Sequence, residues 1–183
     1  MTTADSNRRV DLAVIGLFVV GMLARLAPHP PNVTPLAALA LFGGACLPRR
    51  WAIVLPVLAV ALSDVAIGVH QTMLFTWMGF ALTGGCGLWL RSHLGAGRIV
   101  LASLAGSILF FLLTNAGVWW LGDGGRMYPQ TISGLWQCYV AALPFFRNSL
   151  LGDLVYTAGF FGAYSLAVGR MRLATAGSSA PSA

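Results

Sequence analysis

The sequence contains no lysine and no glutamate: its eleven basic residues are all arginine and its five acids are all aspartate. Charged residues make up 9% of the chain, where a soluble domain carries about 25%. That scarcity excludes an ordinary water-exposed surface. It also excludes a nucleic-acid binder, in spite of a pI near 10.1. The arginines stand singly or in pairs at the ends of apolar segments and form no stripe that would neutralise a row of phosphates. Cysteine is scarce too. Cys46, Cys86 and Cys138 lie far apart with no CxxC pair, so neither a disulfide framework nor a zinc site is expected. The chain has no P-loop, no HExxH, no GxSxG and no dense group of acids. ATP hydrolysis by the chain itself is therefore excluded. No catalytic residue, metal site or cofactor is assigned, and the chain is not read as an enzyme. The remaining enzymatic alternative would use Asp64 and Asp153 as a general acid and base.

What is present is apolar. Hydrophobic residues account for 57% of the chain and the mean hydropathy is +0.78, which points to residence in a bilayer. Apolar runs of spanning length lie at 10–27, 51–69, 72–90, 98–121 and 148–169, and a shorter run at 35–47 makes a sixth. Thr34 is expected to cap that short run, with Pro35 in its first helical position. LPRR at 47–50 ends it. Residues 10–172 then form one domain. The stretches 1–9 and 173–183, polar or small in composition, are expected to be disordered and cytoplasmic.

Arginine placement orients the spans. With the amino terminus inside, Arg8, Arg9, Arg49, Arg50, Arg91, Arg98, Arg170 and Arg172 fall on the inner side, and Arg25, Arg126 and Arg147 on the outer. Eight against three is the positive-inside bias of a protein with both termini cytoplasmic. A cleaved signal peptide is the alternative for the first run, but LARLAPHPP lacks a small-x-small cleavage site. The fold class expected is an all-α, six-helix bundle in the bacterial inner membrane.

The outer connections are PHPPNVT (28–34), the turn at His70 and Gln71, and the segment 122–147. In the last, Ile132, Leu135, Trp136, Tyr139, Val140 and Leu143 recur at helical spacing. They predict a short interfacial helix stopped by Pro144, lying between spans five and six as a lid or at the membrane surface. The rigid PHPPNVT loop is read as a gate, with His29, Pro31 and Asn32, joined by His70 from the next turn.

Polar groups interrupt three spans at similar depth. Asp64, Asn115 and Asp153 each fall in the outer third of a separate helix, with Arg147 and Asn148 at the outer end of the last. Intramembrane acids are costly and usually functional, so these residues are expected to meet in one polar pocket open to the outside. Ser149, Asp153 and Tyr156 share a helix face, as do Asn115 and Trp119. Trp119 and Tyr156 are candidates to stack on a planar solute, with Trp120, Tyr128, Trp136 and Tyr139 as further walls. Plainer readings stand beside these. The tryptophans suit an aromatic belt, Arg147 a snorkelling surface group, the two aspartates helix–helix hydrogen bonds, and Asn32 a loop-shaping role. His29 and His70 resemble a metal pair by residue type alone. The inner half instead carries small residues four apart, such as Ala40 with Gly44, Ser103 with Ser107, and Gly159 with Ala163, which permit close helix contact.

PNVTPLAALALFGGA (31–45), LSD (62–64), TNAGVW (114–119) and CYVAALPFFRNSLLGDLVYT (138–157) resemble an uncharacterised family of small bacterial membrane proteins. In size, span number and layout that family is similar to the substrate-binding S components of energy-coupling-factor vitamin transporters. The resemblance implies a vitamin-like solute held near the outer face under the connections between spans one and two, three and four, and five and six. It also implies an energising partner module with ATPases. The first span, DLAVIGLFVVGMLA, lacks the spaced alanines through which S components often dock. Two other readings remain: an accessory subunit without a ligand of its own, and a small intramembrane enzyme.

Overall fold

The computed structural model describes residues 3–24, 32–68 and 70–178. Among them the protein is all-helical: α1 (Thr3–Ala24), α2 (Leu36–Cys46), α3 (Val54–Ile67), α4 (Met73–Leu90), α5 (Ala96–Leu121) and α6 (Ile132–Ser178), with a 3-10 turn at Gly122–Gly125. Three stretches are long and apolar enough to cross a membrane: α4, α5 with its turn, and Ile132–Val168 of α6. Helix α1 begins at Thr3 and α6 runs to Ser178, so residues 3–9 and 173–178 are helical where disorder was expected. ADSNRR and LATA hold no proline or glycine to stop a helix already nucleated by the neighbouring apolar run.

Helix α2 organises the rest. Its 11 residues make about 16 Å of helix, too short for a crossing, and every residue from Leu36 to Ala45 is buried. A helix apolar on all sides belongs inside a core, and α1, α3, α4, α5 and α6 all pack around it. Phe42 marks the centre, with its ring 5.9 Å from Phe160, 5.4 Å from Phe161 and 5.8 Å from Tyr164. Thr34 does not cap α2. Pro35 is the cap residue and no side chain bonds to the helix start. The proline removes one backbone donor that a cap would otherwise have to satisfy.

Two features fix α2 against α4. Gly44 and Gly87 bring the helix backbones into contact: a Cβ on Gly44 would lie 2.1 Å from the Gly84 carbonyl oxygen, and one on Gly87 2.1 Å from that of Leu41. At the far end Arg91 donates through Nε to the Gly44 carbonyl at 2.8 Å and through Nη2 to that of Leu47. These are carbonyls at the end of α2, where a cation also meets the negative end of the helix dipole. Burial lowers the Arg91 pKa, with the Arg49 charge adding to it and Cys46 opposing it.

The outward faces are apolar. Val54, Leu58 and Leu62 on α3, and Leu74, Met78 and Leu82 on α4, recur every four residues and are exposed. Rows of this size suit a hydrocarbon surround. The segment expected as a separate interfacial helix is continuous with the sixth apolar run, and Pro144 lies inside α6 instead of ending it. Proline weakens a helix without always terminating it when the flanking turns are packed.

Candidate functional site: a polar cavity between α5 and α6

Helices α5 and α6 run antiparallel, and residues four apart on each meet along one seam. Ser103 and Thr157 hydroxyls lie 3.2 Å apart, and Ser107 donates to Asp153 Oδ2 at 2.7 Å. Asp153 is 7% exposed. Ser107 is the twelfth of the 26 residues of α5, so the carboxylate sits beside the middle of that helix.

Farther along, the Cys138 thiol reaches the Asn115 carbonyl at 3.4 Å, and the Tyr139 hydroxyl donates to that of Leu112 at 2.8 Å. Between Cys138 and Asp153 α6 advances fifteen residues, while between their partners Asn115 and Ser107 α5 covers eight. At 1.5 Å per residue these are about 22 Å and about 12 Å, so α6 takes the longer path. Pro144 stands inside the excess. It lacks the N–H that would bond to the Val140 carbonyl, and its ring crowds that turn, which is where helices bend.

The gap is a cavity of about 250 Å³. Helix α5 lines it with Ser107, Phe110, Phe111, Thr114 and Asn115, and α6 with Phe145, Phe146, Ser149 and Asp153. Asn32, with a left-handed φ of 62°, closes one side. The next residue, Val33, rests on α6 at Gly152, where a Cβ would meet its side chain at 3.0 Å. The described end of the expected gate loop thus lies beside Asp153.

The hydrogen bonds give this cavity a chemical sign. Thr114 donates to the Phe110 carbonyl at 2.8 Å, Ser149 to that of Phe145 at 3.2 Å, and Asn115 through Nδ2 to that of Phe111 at 2.8 Å. Ser107 has one hydroxyl proton, and the carboxylate is its strongest acceptor. Helix backbone and Asp153 therefore take up the hydroxyl protons and one of the two Asn115 amide hydrogens. The cavity is left with hydroxyl lone pairs, a carboxylate, and the side-chain oxygen and second N–H of Asn115, between phenylalanine rings.

Of the residues singled out in the sequence, Asn32, Asn115, Ser149 and Asp153 come together here, and the others lie elsewhere. Asp64 sits in the last turn of α3, 6% exposed, where it accepts a 2.9 Å bond from Trp77 Nε1. Helix α3 packs on α2 and α4, and the Phe80–Phe110 pair, 4.7 Å between ring centroids, belongs to the layer between α3 and α5. Trp119 donates to the Pro129 carbonyl at 2.9 Å, and Gln130 returns a 2.7 Å bond to the Trp119 carbonyl, so this ring clasps the α5–α6 turn. Tyr156 faces a separate apolar hollow with Val33 and Leu151 and stacks on Phe160. Arg147, Asn148 and His70 are exposed and line no part of the cavity. Neither do Trp120, Tyr128, Trp136 or Tyr139. His29 and Pro31 lie outside the described residues. The sequence reading missed Ser107 and Thr114. Ser107 was visible as a hydroxyl four residues after Ser103 in an apolar run, but was read as a small packing residue.

A family model matches residues 5–176, from α1 to the last turns of α6, and its description is a family of unknown function, DUF6580. The chain belongs to DUF6580. No curated protein and no solved structure matches it. Every residue that lines the cavity falls inside the DUF6580 match.

Proposed function

We propose that this protein is the solute-binding component of a membrane transport system, taking up a small molecule in the cavity between α5 and α6. The observation that carries the reading is a buried carboxylate placed in a cavity of about 250 Å³ with aromatic walls, instead of being packed away. A membrane protein gains nothing in stability from such a vacancy, and intramembrane acids that face cavities mark solute or ion paths. A volume near the lower limit of ligand pockets suits a solute on the order of ten non-hydrogen atoms. The arginine bias puts the Asn115 end of the cavity and the loop at Asn32 on the outer side of a bacterial inner membrane, so capture is from outside. Lacking a P-loop, the protein would depend on a partner ATPase module or on rocking of its own helices.

The test is native mass spectrometry of the full chain, gently solubilised. A co-purified small molecule is expected in wild type and in Arg98→Ala, at the distant end of α5, and is expected to be lost in Asp153→Ala. A folded protein that carries nothing, in any lipid or detergent, would refute the proposal. One observation favours a second reading, an accessory subunit. Ala158, Gly159 and Ala163 on α6 are exposed, and no atom lies within 4 Å of a Cβ built on Gly159, leaving a smooth strip for another helix.

A further inference from the structure

We infer that the solute is a small organic cation that carries N–H groups, a protonated amine, amidine or guanidine. The inference rests on the solute-binding reading above and adds the sign of the ligand. Asp153 has the Ser107 hydroxyl as its hydrogen-bond partner among the described residues. None of the arginines or histidines with described side chains, Arg49, Arg50, Arg91, Arg98, Arg126, Arg147, His70 and His93, lines the cavity. One hydroxyl does not neutralise a carboxylate held away from water, and a buried charge left uncompensated is costly. The missing charge is positive, and the open space that adjoins the carboxylate is where it fits.

The second observation is independent of that charge. The hydroxyls of Thr114 and Ser149 and the Nδ2 of Asn115 already donate to carbonyls of their own helices. What the hydroxyls offer a ligand is acceptor oxygen, and Asn115 keeps one N–H beside its side-chain oxygen, so acceptors outnumber donors and an anion finds few partners. An ammonium or guanidinium carries only donors and matches a set of acceptors. The walls agree. Phe110, Phe111, Phe145 and Phe146 surround the cavity, with Phe111 and Phe146 at 4.5 Å between centroids, and phenylalanine faces attract a cation near them. They favour an organic cation over a hydrated metal ion. Among the described residues no group of three or more His, Cys, Asp or Glu side chains is placed to hold one.

The experiment uses the full-length wild-type protein in detergent and four aromatic probes of similar shape, read by calorimetry and thermal shift. Benzylammonium has charge and donors, benzyltrimethylammonium has charge without donors, benzyl alcohol is neutral, and benzoate is anionic. Benzylammonium is expected to bind about tenfold or more tightly than benzyl alcohol, the gain of a charge-assisted hydrogen bond. Benzyltrimethylammonium should fall between them and benzoate should not bind. Asp153→Asn, which keeps an oxygen to accept from Ser107, should reduce benzylammonium to the level of the alcohol. Benzoate or benzyl alcohol binding as well as benzylammonium overturns the cationic assignment and leaves the solute-binding reading intact. No binding by any probe, with no co-purified molecule in the mass spectrum, overturns both. The wild-type series decides by itself if the variant does not fold.

Discussion

Gly87→Ala tests the central contact of the fold, because α4 carries its own controls. A Cβ at Gly87 would stand 2.1 Å from the Leu41 carbonyl oxygen and 2.9 Å from both Ala45 N and Gly44 Cα. All three atoms are backbone, so no side chain can swing away. Ordinary contact begins near 3.4 Å, and α2 and α4 would have to part by about 1.3 Å along a fully packed seam. Such overpacking costs about 1–3 kcal/mol or more, while alanine returns at most about 1 kcal/mol of helix propensity. A net loss of about 2 kcal/mol corresponds to roughly 4–8 °C in Tm for a chain of this size. Gly85, two residues earlier, has nothing within 4 Å of its built Cβ, so Gly85→Ala keeps only the gain and should raise Tm by about 1–3 °C. Gly84→Ala, whose nearest neighbour would be Ile53 Cγ1 at 3.4 Å, should lie near wild type or slightly above. The assay is thermal denaturation of the detergent-solubilised protein followed by size-exclusion chromatography. If Gly87→Ala and Gly85→Ala melt together, α2 does not pack backbone to backbone on α4.

Arg91→Ala removes both hydrogen bonds to the end of α2 and is expected to cost about 2–4 kcal/mol, while Arg91→Lys, which keeps the charge but not the planar fork, should cost less. The same melting assay ranks the three proteins, and equal losses for the two variants would mean that charge at the helix end contributes nothing. Pro144→Ala restores the missing helix bond and should stabilise α6 locally by up to about 3 kcal/mol. If the bend there holds the cavity open, the variant should melt higher yet lose its co-purified solute. A variant that melts higher and keeps the solute would separate the cavity from the bend.

Much of this architecture could be read from residue order, and the parts that could not have identifiable causes. Helix positions followed from apolar runs, since hydrophobicity and length act locally. The central place of α2 was visible only as an anomaly, 13 apolar residues where a crossing needs about 20. Its burial depends on glycines of α4 that lie some forty positions away. Pro144 was read as a helix end because its effect on the backbone is local and strong. Whether the chain resumes the helix depends on packing at Cys138 and Tyr139 on one side and Asp153 on the other. In the site, Asn115 and Asp153 were legible because a polar group in an apolar run stands out. Phe110, Phe111, Phe145 and Phe146 were not, since one more phenylalanine in a membrane helix carries no signal. Their role comes from the side of α6 that faces α5 beside Pro144, which no periodicity expresses.

Asp64 and Asp153 look alike in sequence, each an acid in an apolar run, and their surroundings separate them. Asp64 is closed in by the indole of Trp77, whose N–H is a donor fixed by a ring too large to leave. Helix–helix bonding between α3 and α4 accounts for its retention. Asp153 meets a hydroxyl instead, from a serine small enough to leave space beside it, and the residues four before it and on the facing helix have turned their protons away. One acid has received its donor from the fold. The other has one hydroxyl donor and open, acceptor-rich space beside it, and this difference in surroundings makes Asp153, and not Asp64, the residue on which recognition of a solute would turn.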